Sequence, residues 1–119
     1  MAKLTEEAKK IIAGGGLATI STASRNGKSR VRVKGTFHVV DDSRLAFINL
    51  DSSRTMANLR DYPRLSAVVF DADSGRSCRI EGKTDVIVKG EVFDSVVAEV
   101  GKLKVPYLVL LKILEVEVY

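Results

Sequence analysis

The sequence predicts a mainly β protein, a small barrel of about six antiparallel strands with a few short helices at its corners. Polar and apolar residues alternate along several segments, most clearly in RVRVKGTFHVV at 30–40. Tight turns such as Asn26-Gly27 join neighbouring segments, as in a meander of hairpins. Helical periodicity is confined to short stretches, whereas a doubly wound α/β sheet needs a helix after nearly every strand.

The first helix is predicted at 4–12, where apolar residues share one face, Thr5 is in a capping position and glutamates occupy the first turn. A second helix is predicted to follow a cap at Ser52 and to stop at Pro63. A third is expected at about 91–103, from apolar residues at helical spacing. The strands, rich in β-formers and bounded by turn residues, are expected at 17–22, 30–40, 44–50, 64–72, 77–89 and 106–119.

Size and composition indicate a small domain with no unusual bias. The 119 residues are predicted to form one domain, 1–119, and the net charge of +4 permits an anionic ligand without requiring one. No apolar run is long enough to span a bilayer, and the first ten residues lack the apolar stretch of a secretory signal. A lone Cys78 cannot form an internal disulfide. We therefore expect a cytoplasmic protein that does not associate with membranes.

The segment SSRT at 52–55 carries more polar groups than a helix cap requires. With Ser52 as the cap, Ser53, Arg54 and Thr55 fill the first helical turn, where backbone N–H groups have no partner inside the helix. The positive end of the helix dipole, two hydroxyls and a guanidinium together suit a phosphate. The alternative is an ordinary capped helix with an exposed arginine.

A basic strand precedes this segment. Arg30, Arg32 and Lys34 alternate along it and share one face. Sequential strands of a meander are usually neighbours, so these cations are expected to converge with Arg54 on one anion. The alternative is that they form a solvated outer face of the sheet.

Several motifs follow one another in a fixed order along residues 17 to 90. The basic strand is followed by LAFIN, by SSRT, by a helix, and then by YPRLSAVVF and RSCRIEG. This order resembles the flavin-binding split barrel of the pyridoxamine 5′-phosphate oxidase family, and also the small FMN-binding proteins of similar length. The resemblance implies a six-stranded antiparallel split barrel, FMN as the cofactor, and a homodimer with the flavin between its two barrels.

The resemblance also implies which residues contact the flavin. On the basic strand, the residues that contact phosphate and ring are Arg32, Val33 and Lys34. At the end of the next strand, the backbone that borders the isoalloxazine ring belongs to Ile48 and Asn49. The phosphate-binding turn consists of Ser53, Arg54 and Thr55, and Ser77 reaches the flavin held mainly by the partner subunit.

In that family the flavin carries the redox chemistry, and the protein supplies position and electrostatics. The resemblance therefore implies a flavin-dependent oxidoreductase or electron carrier with no catalytic side chain and an unassigned redox partner. The oxidase's C-terminal arginine–histidine substrate segment has no counterpart before Tyr119, so we do not expect pyridoxamine phosphate to be the substrate. The sequence also departs from the family at Thr55, where lysine is frequent, and at Ile48-Asn49, where Tyr-Thr is frequent.

Other functions stay open at this point. Related split barrels bind a deazaflavin coenzyme or haem, and the motifs do not separate these ligands from FMN. A flavoprotein that stores or regulates without turnover would keep the same site. A basic nucleic-acid-binding barrel is disfavoured because only seven residues are aromatic. His38 is expected to have a structural or surface role, and Cys78 to be a small core residue. No cysteine or histidine cluster predicts a metal.

Overall fold

The computed structural model describes residues 2–15, 18–34, 37–48, 53–101 and 105–119. The helices are α1 (Glu6–Gly15), α2 (Ser53–Asp61) and α3 (Glu91–Val100). The strands are β1 (Ala18–Ala23), β2 (Ser29–Lys34), β3 (His38–Asp41), β4 (Arg44–Ile48), β5 (Arg64–Asp71), β6 (Arg76–Ile87) and β7 (Leu108–Val118). None of the described helices is long and apolar enough to cross a membrane.

The strands form one antiparallel sheet in the order β2-β1-β5-β6-β7-β4-β3. Its two edge strands follow one another in the chain, because β2 ends at Lys34 and β3 begins at His38. The chain between these two residues spans at most about 14 Å, whereas the edges of a flat seven-stranded sheet would lie about 29 Å apart. The sheet therefore curls until its edges come close together, and the chain is a split barrel.

The predicted mainly β split barrel is confirmed, with seven strands instead of six. The difference lies at 30–40, which the sequence predicts as one strand. The structure divides this segment into β2, which pairs with β1, and β3, which pairs with β4. The two halves thus pair at opposite edges of the sheet, and the pairing changes between them. The predicted helices are observed, although the predicted cap Ser52 lies outside the described residues.

The interior of the barrel is the main hydrophobic core. It takes side chains from β1, β4, β5, β6 and β7, and the rings of Phe37 and Phe47 meet edge to face at 5.2 Å within it. Helix α1 begins as predicted, because the Ala8 N–H donates to Thr5 Oγ1 at 3.1 Å. Cys78 is fully buried in this core, and burial raises the pKa of its thiol to about 11. The cysteine is therefore a neutral core residue, as expected.

The outer surface of the barrel has two different halves. Helix α3 covers the outer face of β3, β4 and β7, where Val96 packs against Ala46 and Leu110. The outer face of β2, β1 and β5 has no such cover within the described residues. Its exposed apolar side chains are Val31 (64%), Val33 (64%), Val68 (44%) and Phe70 (54%). Thr19 and Ser21 of β1 lie between these side chains, so the face is apolar on its two flanking strands and polar along its middle strand. Exposed apolar side chains grouped in this way are typical of an interaction surface.

Strands β6 and β7 are in close contact at Gly82. The register between them shifts from Glu81 to Gly82, which indicates a β-bulge. A Cβ atom at Gly82 would collide with the main-chain oxygen of Lys112 and would lie 2.7 Å from Leu111 Cδ1. The absence of a side chain is what permits this approach.

Gly82→Ala is expected to lower the free energy of unfolding by about 1–3 kcal/mol, because the new methyl group overlaps main chain of the neighbouring strand. Gly14→Ala is the matched control. It lies in α1, and its new Cβ would meet only Asp71 Oδ1, at 4.0 Å, so we expect a gain of about 0.5–1 kcal/mol. Urea denaturation measures both variants. Similar effects of the same sign would contradict this account of the bulge.

Candidate cofactor site

The basic residues of β2 point toward the interior side of the sheet. Arg30 lies opposite Thr22, and Arg32 lies opposite Ile20. Directly opposed residues of an antiparallel pair project to the same face, and both of these β1 residues are buried. Because β2 is an edge strand, its arginines are nevertheless exposed to solvent. The valines of β2 point outward, so the cations do not form the outer face of the sheet.

Helix α2 packs beside these cations. Met56 and Leu59 anchor it in the core, where each is 3% exposed. On the flank toward β1, Asn58 Nδ2 donates a buried hydrogen bond to Thr22 Oγ1 at 3.2 Å. Arg54 precedes Asn58 by four residues and therefore projects from the same side of the helix. Because Arg30 lies opposite Thr22, the hydrogen bond between Asn58 and Thr22 fixes the position of Arg54 relative to Arg30.

A cavity of about 430 Å³ lies between α2, β2 and the turn that joins β1 to β2. Asp61 at its end is already engaged: its carboxylate accepts the Arg25 N–H at 2.8 Å, and its main-chain oxygen accepts Arg25 Nε at 2.8 Å. The residues that line the cavity are Ser24, Asn26, Lys28, Arg30, Arg54, Ala57, Asn58 and Asp61. Three cations therefore share one concave surface with a single, already paired carboxylate.

These cations differ from the other basic groups of the fold. Arg44 contacts Asp41 at 2.7 Å, and this hydrogen bond lowers the pKa of the Asp41 carboxyl. Arg79 contacts three glutamates of β6 and β7. Within the described part of the chain, the three cations of the cavity form no ion pair. Their charge is available to an anion.

The start of α2 adds a second source of positive potential. The helix begins at Ser53, so the N–H groups of its first turn lack helical partners. No acidic residue occupies this first turn, in contrast to α1 and α3. Peptide dipoles and the adjacent Arg54 then favour a negative group at this end of the helix. The arrangement suits a phosphate or a carboxylate.

The structure places the predicted residues of β2 and α2 as follows. Arg32 is exposed on the interior side of β2 but is not among the described residues that line the cavity. Val33 points outward. Thr55 is 1% exposed. Lys34 ends β2 and Ser53 begins α2, and for both only the backbone is described. Their contacts with a cofactor remain predictions.

The other predicted residues lie on different parts of the barrel. Ile48 ends β4 and packs against the cluster under α3, while Asn49 lies outside the described residues. Ser77 lies on β6, opposite the exposed Phe70 and next to the buried Cys78, so it faces outward. The outward-facing Ser77 and the interior-facing Arg30 are thus on opposite sides of the same sheet.

The prediction from sequence leaves Lys28, Arg30 and Asn58 out of the cofactor-binding set, although the structure brings them together with Arg54. Arg30 belongs to the alternating basic strand that the sequence shows. The sequence does not show the register of this strand, which decides which of its arginines lines the cavity. Asn58 follows Arg54 by one helical turn, which is a signal available in the sequence. Nothing local in the sequence shows that the turn carrying Lys28 folds toward α2.

A second polar cluster lies between β3 and α3. His38 Nδ1 is 3.2 Å from Glu99 Oε2, and the histidine side chain is 15% exposed. A cavity of about 240 Å³ adjoins this pair. The contact ties the helix to the sheet, in agreement with the structural role expected for His38. Among the described residues, no group of histidine, cysteine or acidic side chains is arranged to hold a metal ion.

The structure thus combines a split barrel with a cavity lined by cations on the interior side of the sheet. A family model for pyridoxamine 5′-phosphate oxidase matches residues 4–117. The chain therefore belongs to the pyridoxamine 5′-phosphate oxidase family, as its motifs predicted. No curated protein matches the sequence.

Solved structures with the same fold include proteins with different ligands. A putative pyridoxamine 5′-phosphate oxidase from Lactobacillus delbrueckii is 26% identical with a TM-score of 0.80, over 97% of this chain and 93% of the other. An FMN-binding protein from Syntrophomonas wolfei is 20% identical with a TM-score of 0.82, over 95% and 84%. HutZ, the haem storage protein from Vibrio cholerae, is 14% identical with a TM-score of 0.71, over 98% and 94%. The fold is shared across these proteins.

Thr22→Val is expected to lower the free energy of unfolding by about 1–3 kcal/mol, because the buried Asn58 amide loses its acceptor. Thr19→Val, at an exposed position of the same strand, is the control and should change stability by less than about 0.5 kcal/mol. Chemical denaturation measures both. Adding Asn58→Leu to Thr22→Val should recover part of the loss; no recovery would contradict the importance of this pair.

Proposed function

We propose that this protein binds FMN and acts as a flavin-dependent oxidoreductase or electron carrier. The observation that carries the proposal is a set of three cations, Lys28, Arg30 and Arg54, in a cavity beside the start of α2; none of them forms an ion pair with another described residue. Membership of the pyridoxamine 5′-phosphate oxidase family supports the same ligand. Neutralising these cations with a phosphate would relieve their mutual repulsion.

The residues present fit the phosphate end of FMN. Arg30 and Arg54 offer guanidinium forks, which match phosphate oxygens, and Asn58 adds an amide at the floor of the cavity. The N-terminal end of α2 adds the positive end of the helix dipole. Bound FMN would provide the redox chemistry, while these side chains hold and orient it. Arg32 or Lys34 is the predicted cation beside the ring, where positive charge eases reduction.

A second candidate ligand is a deazaflavin coenzyme with an anionic tail longer than that of FMN. It is favoured by the surplus of positive charge, since a phosphate carries about −1.5 to −2 at neutral pH and three cations line the cavity. A longer anionic tail could pair with all three cations, whereas the charge of a single phosphate neutralises at most two of them. The visible spectrum of the purified protein separates these ligands from each other and from haem.

We also propose that the protein works as a homodimer. The phosphate-binding side chains face the interior side of the sheet, whereas Ser77 faces outward. A single flavin can contact both the phosphate-binding side chains and Ser77 only if the two come from different subunits. The outer face of β2, β1 and β5, with its exposed apolar side chains on β2 and β5, borders Ser77, and it offers the surface on which a second copy would pack.

Arg54→Ala and Arg30→Ala are each expected to weaken FMN binding by about tenfold to a hundredfold, because each removes a charged hydrogen-bond donor. Arg60→Ala is the matched control, since Arg60 is exposed on α2 but does not line the cavity. Titration of the apoprotein with FMN, followed by flavin fluorescence, gives the dissociation constants. Equal affinities in all three variants would contradict the proposed phosphate site.

The wild-type spectrum tests the choice of ligand before any mutation is made. Flavin absorption bands support FMN, and a deazaflavin spectrum supports the second candidate. A Soret band would instead indicate haem. A colourless protein that takes up none of these ligands would overturn the proposal.

Val68→Glu is expected to convert the dimer to a monomer, because it places a charge in the apolar outer face. Val88→Glu is the control, since Val88 is also exposed but lies just beyond the end of β6. Sedimentation velocity distinguishes the two states, and FMN titration shows whether binding is lost together with the dimer. A wild-type protein that binds FMN as a monomer would exclude this arrangement.

A further inference from the structure

The turn that joins β1 to β2 is held against the end of α2 by one residue from each. The Arg25 N–H donates to the Asp61 carboxylate at 2.8 Å, and Arg25 Nε donates to the main-chain oxygen of Asp61 at 2.8 Å. Asp61 is the last residue of α2, so the second bond satisfies a carbonyl group that has no partner inside the helix. We call these two contacts the Arg25–Asp61 clamp.

The strength of the clamp comes from its hydrogen bonds more than from the attraction between its charges. Arg25 Nε lies 3.8 Å from Asp61 Oδ1, and the two side chains are 75% and 46% exposed. An ion pair in such contact with water contributes little. The bond from the Arg25 N–H to a carboxylate is charge-assisted, and it holds the main chain of the turn directly.

Main-chain bonds within the turn connect the clamp to Lys28. The Ser24 N–H donates to the main-chain oxygen of Lys28 at 3.0 Å, and the Gly27 N–H donates to the main-chain oxygen of Ser24 at 3.0 Å. Gly27 has a φ of 86°, a conformation that favours glycine. The turn is therefore a closed unit, and the position of Arg25 fixes the position of Lys28.

The clamp lies at the far end of the cationic cavity from the start of α2. Arg54, Asn58 and Asp61 all line this cavity, and their spacing places them along one side of the helix. From Arg54 to Asp61 the helix rises about 10 Å. Strand β1 holds the middle of this side through the bond between Asn58 and Thr22, and the clamp holds its end. The turn that carries Lys28 is thus fixed separately from the strand.

The charge of Asp61 by itself would oppose an anion in the cavity. Its carboxylate lies beside Lys28, Arg30 and Arg54, and it lowers the positive potential that they create. Any gain that Asp61 brings to anion binding must therefore come from where it holds the turn. A lysine on an unclamped turn would have to be ordered when the ligand binds, at a cost in conformational entropy.

We propose that Arg25 and Asp61 are positioning residues, which hold Lys28 where it contacts the phosphate of a ligand bound by Arg30 and Arg54. This inference rests on the proposed FMN site and adds to it the residues that bring its third cation into place. The clamp preorganises the cavity, because the turn is already seated against α2 before the ligand arrives.

The first test separates the position of the turn from the charge of Asp61. Asp61→Asn keeps an oxygen that accepts the Arg25 N–H, Asp61→Ala removes it, and both variants lack the charge. In fluorescence titrations, Asp61→Ala should bind FMN about threefold to tenfold more weakly than Asp61→Asn. Asp41→Ala and Asp41→Asn are the matched controls and should bind FMN equally. Asp41 accepts the Ser43 N–H at 2.9 Å in a different turn, and it does not line the cavity.

The second test asks whether Asp61 acts through Lys28. In a Lys28→Ala background, Asp61→Ala and Asp61→Asn should bind FMN equally, because the lysine that the clamp positions is absent. In a Lys10→Ala background the difference should persist, since Lys10 is exposed on α1 and does not line the cavity. Riboflavin, which lacks the phosphate, should bind equally to the two Asp61 variants. A clamp that only stabilised the fold would change the binding of riboflavin and FMN alike.

Amide hydrogen exchange measures the clamp itself in the absence of flavin. The Arg25 N–H should exchange faster in Asp61→Ala than in Asp61→Asn, because only the alanine variant lacks its acceptor. Equal exchange rates in the two variants would show that Asp61 does not hold the turn, and the inference would fail.

The outcomes separate this inference from the proposed function. If wild type binds FMN but the two Asp61 variants bind it equally, the positioning role is wrong and the proposed function stands. If their difference remains in the Lys28→Ala background, or extends to riboflavin, Asp61 does not act by placing Lys28 and the inference is wrong. If wild type binds no FMN, the proposed function fails and this inference fails with it.

Discussion

The register between β1 and β2 is the constraint on which the rest of the site depends. β1 must bury Ile20 and Thr22, and the pairing places Arg30 and Arg32 on that same side. A slip of one residue would turn the cations outward and the valines of β2 inward. The cationic cavity would then disappear, and so would the apolar outer face. One choice of register therefore produces both the cationic cavity and the exposed apolar side chains of the outer face.

The distribution of ion pairs shows how the fold keeps charge available. Elsewhere on the barrel, arginines are paired within or between strands, as with Arg79 and the glutamates of β6 and β7, where hydrogen bonding to the arginine lowers the pKa of the Glu117 carboxyl. Beside α2 the cations of the cavity have no such partner among the described residues. Solvated surface cations destabilise a fold little, so they are compatible with a stable protein. An anionic ligand then gains interactions that no side chain already occupies.

Much of the architecture could be predicted because it depends on local pattern. The apolar face and Thr5 cap of α1, the hairpins and the basic alternation of β2 are all set by residues within a few positions of one another. The division of 30–40 into two strands could not be predicted in this way, since it depends on which distant strands each half pairs with. The same limit explains why Arg30, rather than Arg32, shares the cavity with Arg54: the sequence shows that these arginines alternate but not where α2 crosses them.

The amino-acid sequence by itself determined the class of fold, the family, and the presence of a basic strand close in the chain to a polar helix start, because periodicity, turns and motif order are properties of the chain. Only the tertiary structure decided which side of the sheet each of these groups faces. It set the cations of the cavity toward the interior side, and it aligned Ser77 with Phe70 on the outward side. These alignments join residues far apart in the chain, and they follow from core packing and strand register, which no local pattern encodes.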